Sequence, residues 1–212
     1  MKYGESAFDI IYLLYAIIFG VTILRKSKNV AGKYMGIATV ILGIGDSFHL
    51  IPRVLHYFLD TDMTKALGVG KFVTSVTMTV FYVLLYYVML KYYDETENRL
   101  MTKLIWGLAV IRILLCLFPQ NGWLRNDNGM TWGIVRNIPF VILGAVMVIL
   151  FFQRRKQSKY LRNIWIYTLL SFLFYIPVAV GAGLLPMLGM LMLPKTVCYM
   201  LMIAAFWKGA RG

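Results

Sequence analysis

Long apolar stretches separated by short polar segments dominate the chain. A helix that crosses a membrane needs roughly 17–25 mostly apolar residues, and seven stretches meet this requirement. They lie at residues 8–24, 34–58, 67–90, 101–118, 132–152, 163–185 and 187–207. The pattern predicts an all-α, polytopic bundle of about seven transmembrane helices, in a single domain over residues 1–212. Only Pro186 separates the last two stretches, so one kinked span is the alternative reading there.

Composition and charge placement support a membrane location. Hydrophobic residues make up 60% of the 212 residues and charged residues 15%, whereas soluble domains have about 45–50% and about 25%. The formal net charge is +13, but no nucleic-acid-binding motif accompanies it, so we expect no nucleic-acid partner. Most Lys and Arg residues lie after the first, third, fifth and last stretches. Because basic loops stay in the cytoplasm, we expect an integral plasma (inner) membrane protein with its N-terminus outside and its C-terminus cytoplasmic.

A shift of 124 residues aligns the first three stretches with the last three and leaves the fourth between them. The shift pairs identical residues: Ile18 with Ile142, Gly20 with Gly144, Ser47 with Ser171, Phe48 with Phe172, Lys71 with Lys195 and Met78 with Met202. Parallel repeats occur in membrane carriers, where the site lies at the repeat interface. The matches indicate either a 3+1+3 internal repeat or chance identity in a chain rich in Ile, Leu and Val.

The second stretch carries four polar residues on one helical face. Asp46, His49, Arg53 and His56 are spaced i, i+3, i+7 and i+10, which places them within one arc of an α-helix. Asp46 and His49 lie within reach of each other, either as an acid–base pair or with His49 simply hydrogen-bonded to the carboxylate. The two His residues lie about 10 Å apart along the axis, too far to share an ion, so we predict no metal and no cofactor.

Further polar residues fall at a similar depth in other stretches. Charges at membrane depth are costly, and each suggests a functional role. The candidate ligand-binding residues are Lys71, Arg112, Arg136, Asn137, Tyr175 and Lys195. Asp46 balances only part of this positive charge, so the sequence predicts a basic site in the outer half of the bundle for an anion. The alternative is that Asp46 pairs with Lys195 or Arg112 while the other cations reach water.

One stretch of sequence resembles a known enzyme family. The residues GDSFHLIP at 45–52, followed by GKFVTS at 70–75, resemble a pattern in the lysoplasmalogenase family. Its members are small multi-helix membrane enzymes that cleave the vinyl-ether bond of lysoplasmalogens. The resemblance covers two helices and implies that Asp46 is an essential acid. The second acid expected in a later helix is missing, since the region of Ser171 has no Asp.

The last stretch is similar in one respect to microbial rhodopsins. Lys195 lies within it, where those proteins bind retinal as a Schiff base, although Thr74 occupies the position nearest to their acidic counterion. Three functions therefore remain open. The first is binding or transport of a small anionic or zwitterionic ligand, such as a lipid headgroup. The second is lipid hydrolysis with Asp46 and His49 as catalytic residues. The third is a sensor or retinal-binding protein that uses Lys195. The sequence does not identify a protein partner.

Overall fold

A computed structural model of the protein describes residues 2–59, 61–126, 129–181 and 185–211. Seven of its helices are long and apolar enough to cross a membrane, and no β-strand occurs among these residues. The α-helices are α1 Lys2–Lys26, α2 Val30–Phe58, α3 Thr64–Tyr92, α4 Arg99–Leu117, α5 Met130–Gln153, α6 Ile164–Gly181 and α7 Met192–Gly209. Short 3-10 helices lie at Pro119–Asn121, Trp123–Arg125 and Pro186–Leu191. The predicted all-α membrane helix bundle is confirmed.

One predicted boundary differs from the structure in a way that affects the site. Helix α1 begins at Lys2 rather than at residue 8, so it adds Glu5 to the Asp9 that the predicted span already contained. Helix α6 is described from Ile164 to Gly181, and its predicted end at residue 185 follows residues 182–184, which lie outside the described residues. A 3-10 helix that starts at Pro186 precedes α7, as expected for proline, which lacks an amide hydrogen and is tolerated at the start of a helix. The last two spans are separate helices that pack against each other.

The seven helices form a closed ring. Each packs against the next along the chain, and α7 contacts α1. Helix α3 also contacts α5, and α2 contacts α7, so these helices meet across the interior of the ring. Helices α1–α3 and α5–α7 each form a consecutively packed set on either side of α4. This arrangement is compatible with the 3+1+3 repeat, which stays a prediction.

The two ends of the ring differ in charge. At one end, called the basic end, α1, α3, α5 and α7 finish and α2, α4 and α6 begin. The opposite end is called the far end. Asn29 and Asn98 cap the first turns of α2 and α4 at the basic end. Their side chains accept hydrogen bonds from backbone amides there. Exposed apolar side chains cover the outside of the bundle between the ends. On α1 and α4 these are Ile10, Ile11, Leu14, Ile18, Leu104, Val110, Ile111 and Leu114.

Apolar side chains fill the half of the interior next to the basic end. We call this packed region the basic-end core. Its fully buried members include Met35, Leu85, Met89, Ile105, Met147, Phe151, Ile203 and Phe206. The half of the interior next to the far end is built differently, because it contains charged residues and an open space.

Candidate functional site

A cavity of about 690 Å³ lies in the far-end half of the ring. Residues from α2, α3, α4, α5, α6 and α7 line it. The lining includes all eight residues singled out from the sequence: Asp46, His49, Lys71, Arg112, Arg136, Asn137, Tyr175 and Lys195. Arg53 of the predicted polar face of α2 also lines the cavity, whereas His56 is exposed outside it.

Close packing of α2 on α3 positions Asp46, His49 and Lys71 on one side of the cavity. A Cβ atom on Gly45 would overlap the side chain of Thr77, and one on Gly70 would overlap the backbone of Phe48. The Thr74 hydroxyl also donates a hydrogen bond of 3.0 Å to the Gly45 carbonyl. Small residues allow helix backbones in membranes to approach in this way. The approach brings the carboxylate of α2 and the ammonium of α3 to the same space.

Asp46 is held by a tyrosine of α1. The Tyr12 hydroxyl, which is fully buried, donates a hydrogen bond of 2.6 Å to Asp46 Oδ2. Asp46 therefore receives its hydrogen bond from Tyr12 and not from His49. The His49 Nδ1 atom is buried and has no hydrogen-bond partner among the described residues.

Arg53 is neutralised by two carboxylates of α1. Its Nη2 lies 2.7 Å from Asp9 Oδ2, and its Nη1 lies 3.3 Å from Glu5 Oε1. The Tyr57 hydroxyl donates to Glu5 Oε2 at 3.1 Å. This cluster joins the far ends of α1 and α2. Because the two carboxylates compensate the charge of Arg53, this residue contributes little attraction to an anionic ligand.

Arg112 is the most deeply buried cation of the cavity wall. It lies on the inward face of α4 with Ile105, Ala109 and Cys116, and only 2% of its surface is exposed. Its guanidinium carbon lies 3.4 Å from the centre of the Phe140 ring. Its Nε and Nη1 atoms are buried without a hydrogen-bond partner among the described residues. Such unpaired donors are costly, and an oxyanion can accept hydrogen bonds from this planar fork.

Arg136 is fixed by the connection between α4 and α5. Its Nη1 donates a hydrogen bond of 2.8 Å to Asn121 Oδ1, and its guanidinium lies 4.3 Å from the Trp123 ring centre. Asn121 is fully buried and donates from Nδ2 to the carbonyls of Leu115 and Phe118. The two 3-10 turns thus cap the far ends of α3, α4 and α5 and orient one cation of the cavity. Residues 127–128 of this connection lie outside the described residues.

Asn137, Tyr175 and Lys195 form the wall on the side of α5, α6 and α7. The Tyr175 hydroxyl donates to Asn137 Oδ1 at 2.8 Å, and Asn137 Nδ2 donates to the Gly133 carbonyl at 2.8 Å. Lys195 is 8% exposed. Its Nζ lies 5.2 Å from the Tyr175 ring centre and 5.4 Å from that of Tyr199. Aromatic rings attract the ammonium group in this geometry but do not neutralise its charge.

The site carries excess positive charge. No carboxylate of a described residue lies within 4.0 Å of Lys71, Arg112, Arg136 or Lys195. The described residues therefore contain no ion pair of Asp46 with Lys195 or Arg112, which was the alternative predicted from the sequence. Counting Arg53 with its two partners and Asp46, five cations face three carboxylates, an excess of two formal positive charges.

Aromatic side chains close the cavity toward the basic-end core. Phe140 lines the cavity, and its ring lies 5.1 Å from that of Tyr82 and 5.0 Å from that of Phe172. The Tyr82 hydroxyl lies 3.3 Å from that of Tyr199 and 3.5 Å from the Ser171 hydroxyl. These contacts separate the charged space from the apolar packing below it.

Sequence reasoning missed the contribution of α1. Glu5 lies before the first predicted span and Asp9 and Tyr12 lie in its first turns, and none of the three was among the candidate site residues. Their spacing of i, i+4 and i+7 puts them on one helical face, and this was the available signal. Among the described residues, no three His, Cys, Asp or Glu side chains are arranged to hold a metal ion.

Comparison with protein-family models, with curated proteins and with solved structures finds no match to this chain. The resemblances noted for residues 45–52 and 70–75 and for Lys195 therefore stay predictions.

Proposed function

We propose that the far-end cavity binds a small ligand with an anionic group, and that the protein binds or carries this ligand in the membrane. One observation supports the proposal above others. Arg112 is buried on the cavity wall with two unpaired guanidinium nitrogens, and Lys71, Arg136 and Lys195 line the same cavity without a carboxylate partner among the described residues. A phosphate, sulfate or carboxylate would supply the missing acceptors and the missing charge.

A zwitterionic ligand fits the same wall. Asp46 lines the cavity together with the cations, and Tyr12 occupies only one of its two carboxylate oxygens. The anionic group of a zwitterion would bind Arg112, while its ammonium group would lie toward Asp46. Phosphoethanolamine and its lipid forms have this charge pattern.

The proposed orientation places the cavity toward the outside of the plasma (inner) membrane. The loops and helix ends of the basic end carry most of the Lys and Arg residues, and such loops stay cytoplasmic. The ligand would then enter from the outer leaflet or from the external solution. Cysteine labelling of Lys28→Cys and Arg125→Cys in intact cells, with Cys116 and Cys198 replaced by Ser, tests this orientation, since only the outer cysteine should react with an impermeant reagent.

Binding of defined probes to the purified protein tests the proposal. Inorganic phosphate, glycerol 3-phosphate, phosphoethanolamine and lysophosphatidylethanolamine would be titrated while thermal unfolding is followed. We expect at least one probe to raise the unfolding temperature, and Arg112→Gln or Lys195→Gln to weaken its binding by about tenfold or more. The soluble and lipid probes distinguish a free phosphate ester from a headgroup.

Arg125→Gln is the matched control, because Arg125 is exposed at the far end and does not line the cavity. It should bind every probe as well as the parent does. Asp46→Asn should weaken phosphoethanolamine more than glycerol 3-phosphate if the ligand is zwitterionic. Equal binding of all probes by parent, Arg112→Gln and Lys195→Gln would refute the proposal.

A lipid hydrolase that uses Asp46 is the second candidate. It is favoured by the position of Asp46 and His49 on one cavity wall and by the resemblance of residues 45–52 to lysoplasmalogenases. Incubation with a lysoplasmalogen or lysophospholipid, with detection of released aldehyde or fatty acid, tests it. Turnover that is lost in Asp46→Asn would support this function, and turnover that is unchanged in that variant would contradict it. The retinal hypothesis for Lys195 stays a prediction, which an adduct on this residue in the mass spectrum would support.

A further inference from the structure

A second depression lies at the basic end, away from the far-end cavity. It has a volume of about 470 Å³ and opens between the start of α6 and the last turns of α7. We call it the α6–α7 groove. Three basic side chains line the groove: Lys159, Arg162 and Lys208. Pockets that hold small ligands have about 300–1,000 Å³, so the groove is large enough for a polar headgroup.

The three cations of the groove are available to a ligand. Lys159, Arg162 and Lys208 are exposed, and none has a carboxylate within 4.0 Å among the described residues. If the long apolar helices span a membrane, these cations lie near its surface, because α6 begins and α7 ends at this end of the bundle. Basic pockets between helices at this level suit the phosphate of an anionic lipid.

The wall below these cations is apolar and recessed. Leu201, Ala204 and Ala205 line the groove on α7, and Leu201 is 43% exposed. The two alanines leave a depression next to the larger leucine side chain. A hydrocarbon chain that descends from the membrane surface can occupy this depression, whereas a soluble anion would leave it unfilled.

The loop that carries two of the cations is held in place by packing. Leu161 is fully buried, and its Cδ1 lies 2.6 Å from the position of a Cβ on Gly209. The Tyr92 hydroxyl lies 3.0 Å from that of Ser158. The groove is therefore preformed, and a ligand would not have to order the loop at its own cost.

From the combination of a basic rim, an apolar recessed wall and an ordered loop, we infer that the α6–α7 groove binds an anionic glycerophospholipid of the leaflet at the basic end. Its phosphodiester lies among Lys159, Arg162 and Lys208, and one acyl chain packs along Leu201, Ala204 and Ala205. This site is independent of the proposed ligand of the far-end cavity.

Native mass spectrometry of the full chain in a mild detergent tests the inference. Dioleoylphosphatidylglycerol and dioleoylphosphatidylcholine would be titrated against the parent protein and against the combined variant Lys159→Gln, Arg162→Gln, Lys208→Gln. We expect the parent to prefer the anionic lipid, and the variant to bind it at least about tenfold more weakly, since each cation near a membrane surface contributes about fivefold. The zwitterionic lipid has the same phosphodiester but carries a choline cation beside it, so it should bind the parent more weakly than the anionic lipid does and lose less affinity in the variant.

A matched control removes the same charges elsewhere. The combined variant Lys28→Gln, Lys33→Gln, Arg99→Gln changes two lysines and one arginine that are exposed at the basic end but do not line the groove. It should keep the preference of the parent. Equal loss in both variants would overturn the inference, since the lipid would then respond to net charge alone.

A steric variant tests the acyl-chain wall without changing charge. Ala204→Trp should fill the groove and reduce binding of the anionic lipid, whereas Ala145→Trp, at an exposed position of α5, should not. Unchanged binding in Ala204→Trp would overturn the inference. Displacement of the lipid by soluble glycerol 3-phosphate would also overturn it, because the groove would then be a site for a free phosphate ester.

Discussion

The two halves of the bundle interior belong to the same ring of helices but differ in how their buried side chains are stabilised. In the basic-end core, the fully buried side chains of Met147, Phe151 and Phe206 are all uncharged. In the far-end half, Arg112 and Lys195 are almost as deeply buried yet lack a carboxylate partner among the described residues. Packing stabilises the first region, whereas the second carries charge that packing does not compensate.

The cations of the two regions differ in burial. Most cations of the basic-end loops are exposed, and the charge rule for membrane proteins predicts such cations at cytoplasmic helix ends. Arg112, Arg136 and Lys195 of the cavity are buried, and that rule does not account for them. Buried charge without a partner reduces the free energy of unfolding, so the far-end half is where the proposed anionic ligand would stabilise the protein most.

The largest effect is expected from a cavity created in the basic-end core. Phe151→Ala should lower the free energy of unfolding by about 3–5 kcal/mol, because it removes a fully buried ring. Denaturant titration of the purified protein in detergent micelles measures this. Phe152→Ala is the matched control, since Phe152 is 40% exposed and its loss should cost less than about 1 kcal/mol. Equal losses would mean that the core is not packed as described.

The helices and the candidate site residues were predictable from the sequence for one physical reason. Uninterrupted apolar runs have few explanations other than membrane spans, and charges inside such runs stand out. Asp46, Arg112 and Lys195 were therefore found without knowledge of the fold. Their convergence on one cavity also follows from a similar depth in neighbouring helices.

The pairing of these residues was not predictable. Tyr12 holds Asp46, Asp9 neutralises Arg53 and Asn121 orients Arg136. Each pair joins different elements, so it depends on which helices are neighbours and on how they are rotated. A single sequence indicates which residues share a helical face but not which helix that face meets. The alternative in which Asp46 pairs with Lys195 or Arg112 is not found within 4.0 Å among the described residues.

The second prediction concerns a substitution of a buried residue that increases stability, whereas most such substitutions decrease it. Lys195→Met should raise the free energy of unfolding of the unliganded protein by about 2 kcal/mol, because it replaces a buried ammonium that has no carboxylate within 4.0 Å among the described residues by an apolar chain of similar length. Denaturant titration without added anion measures this. With a saturating anionic probe, the parent should become the more stable protein.

Lys65→Met is the control for that reversal, because Lys65 is exposed in the first turn of α3. Its stability should match that of the parent within about 0.5 kcal/mol in both conditions. A loss of stability in Lys195→Met without anion would contradict the view that this charge is uncompensated.

A smaller effect is expected where a polar side chain of the far-end half has a hydrogen-bond partner. Tyr12→Phe should lower the free energy of unfolding by about 1.5 kcal/mol, because it removes a buried hydrogen bond of 2.6 Å to the Asp46 carboxylate. Tyr15→Phe on the same helix removes a longer bond of 3.3 Å to the Met200 carbonyl and should cost about 0.5 kcal/mol. The same titration compares them, and equal costs would show that the Asp46 contact has no special weight.

The smallest effect is expected at the ion pair of the basic-end loops. Arg154 pairs with Glu95, with side chains 15% and 31% exposed, so water and salt screen the attraction. Glu95→Gln should lower the free energy of unfolding by about 0.5 kcal/mol in low salt, and the difference should vanish in molar salt. Glu97→Gln, at an exposed neighbouring position, should have no effect in either condition. A cost for Glu95→Gln as large as that for Tyr12→Phe would mean that the basic end, like the far end, depends on a charged contact for its stability.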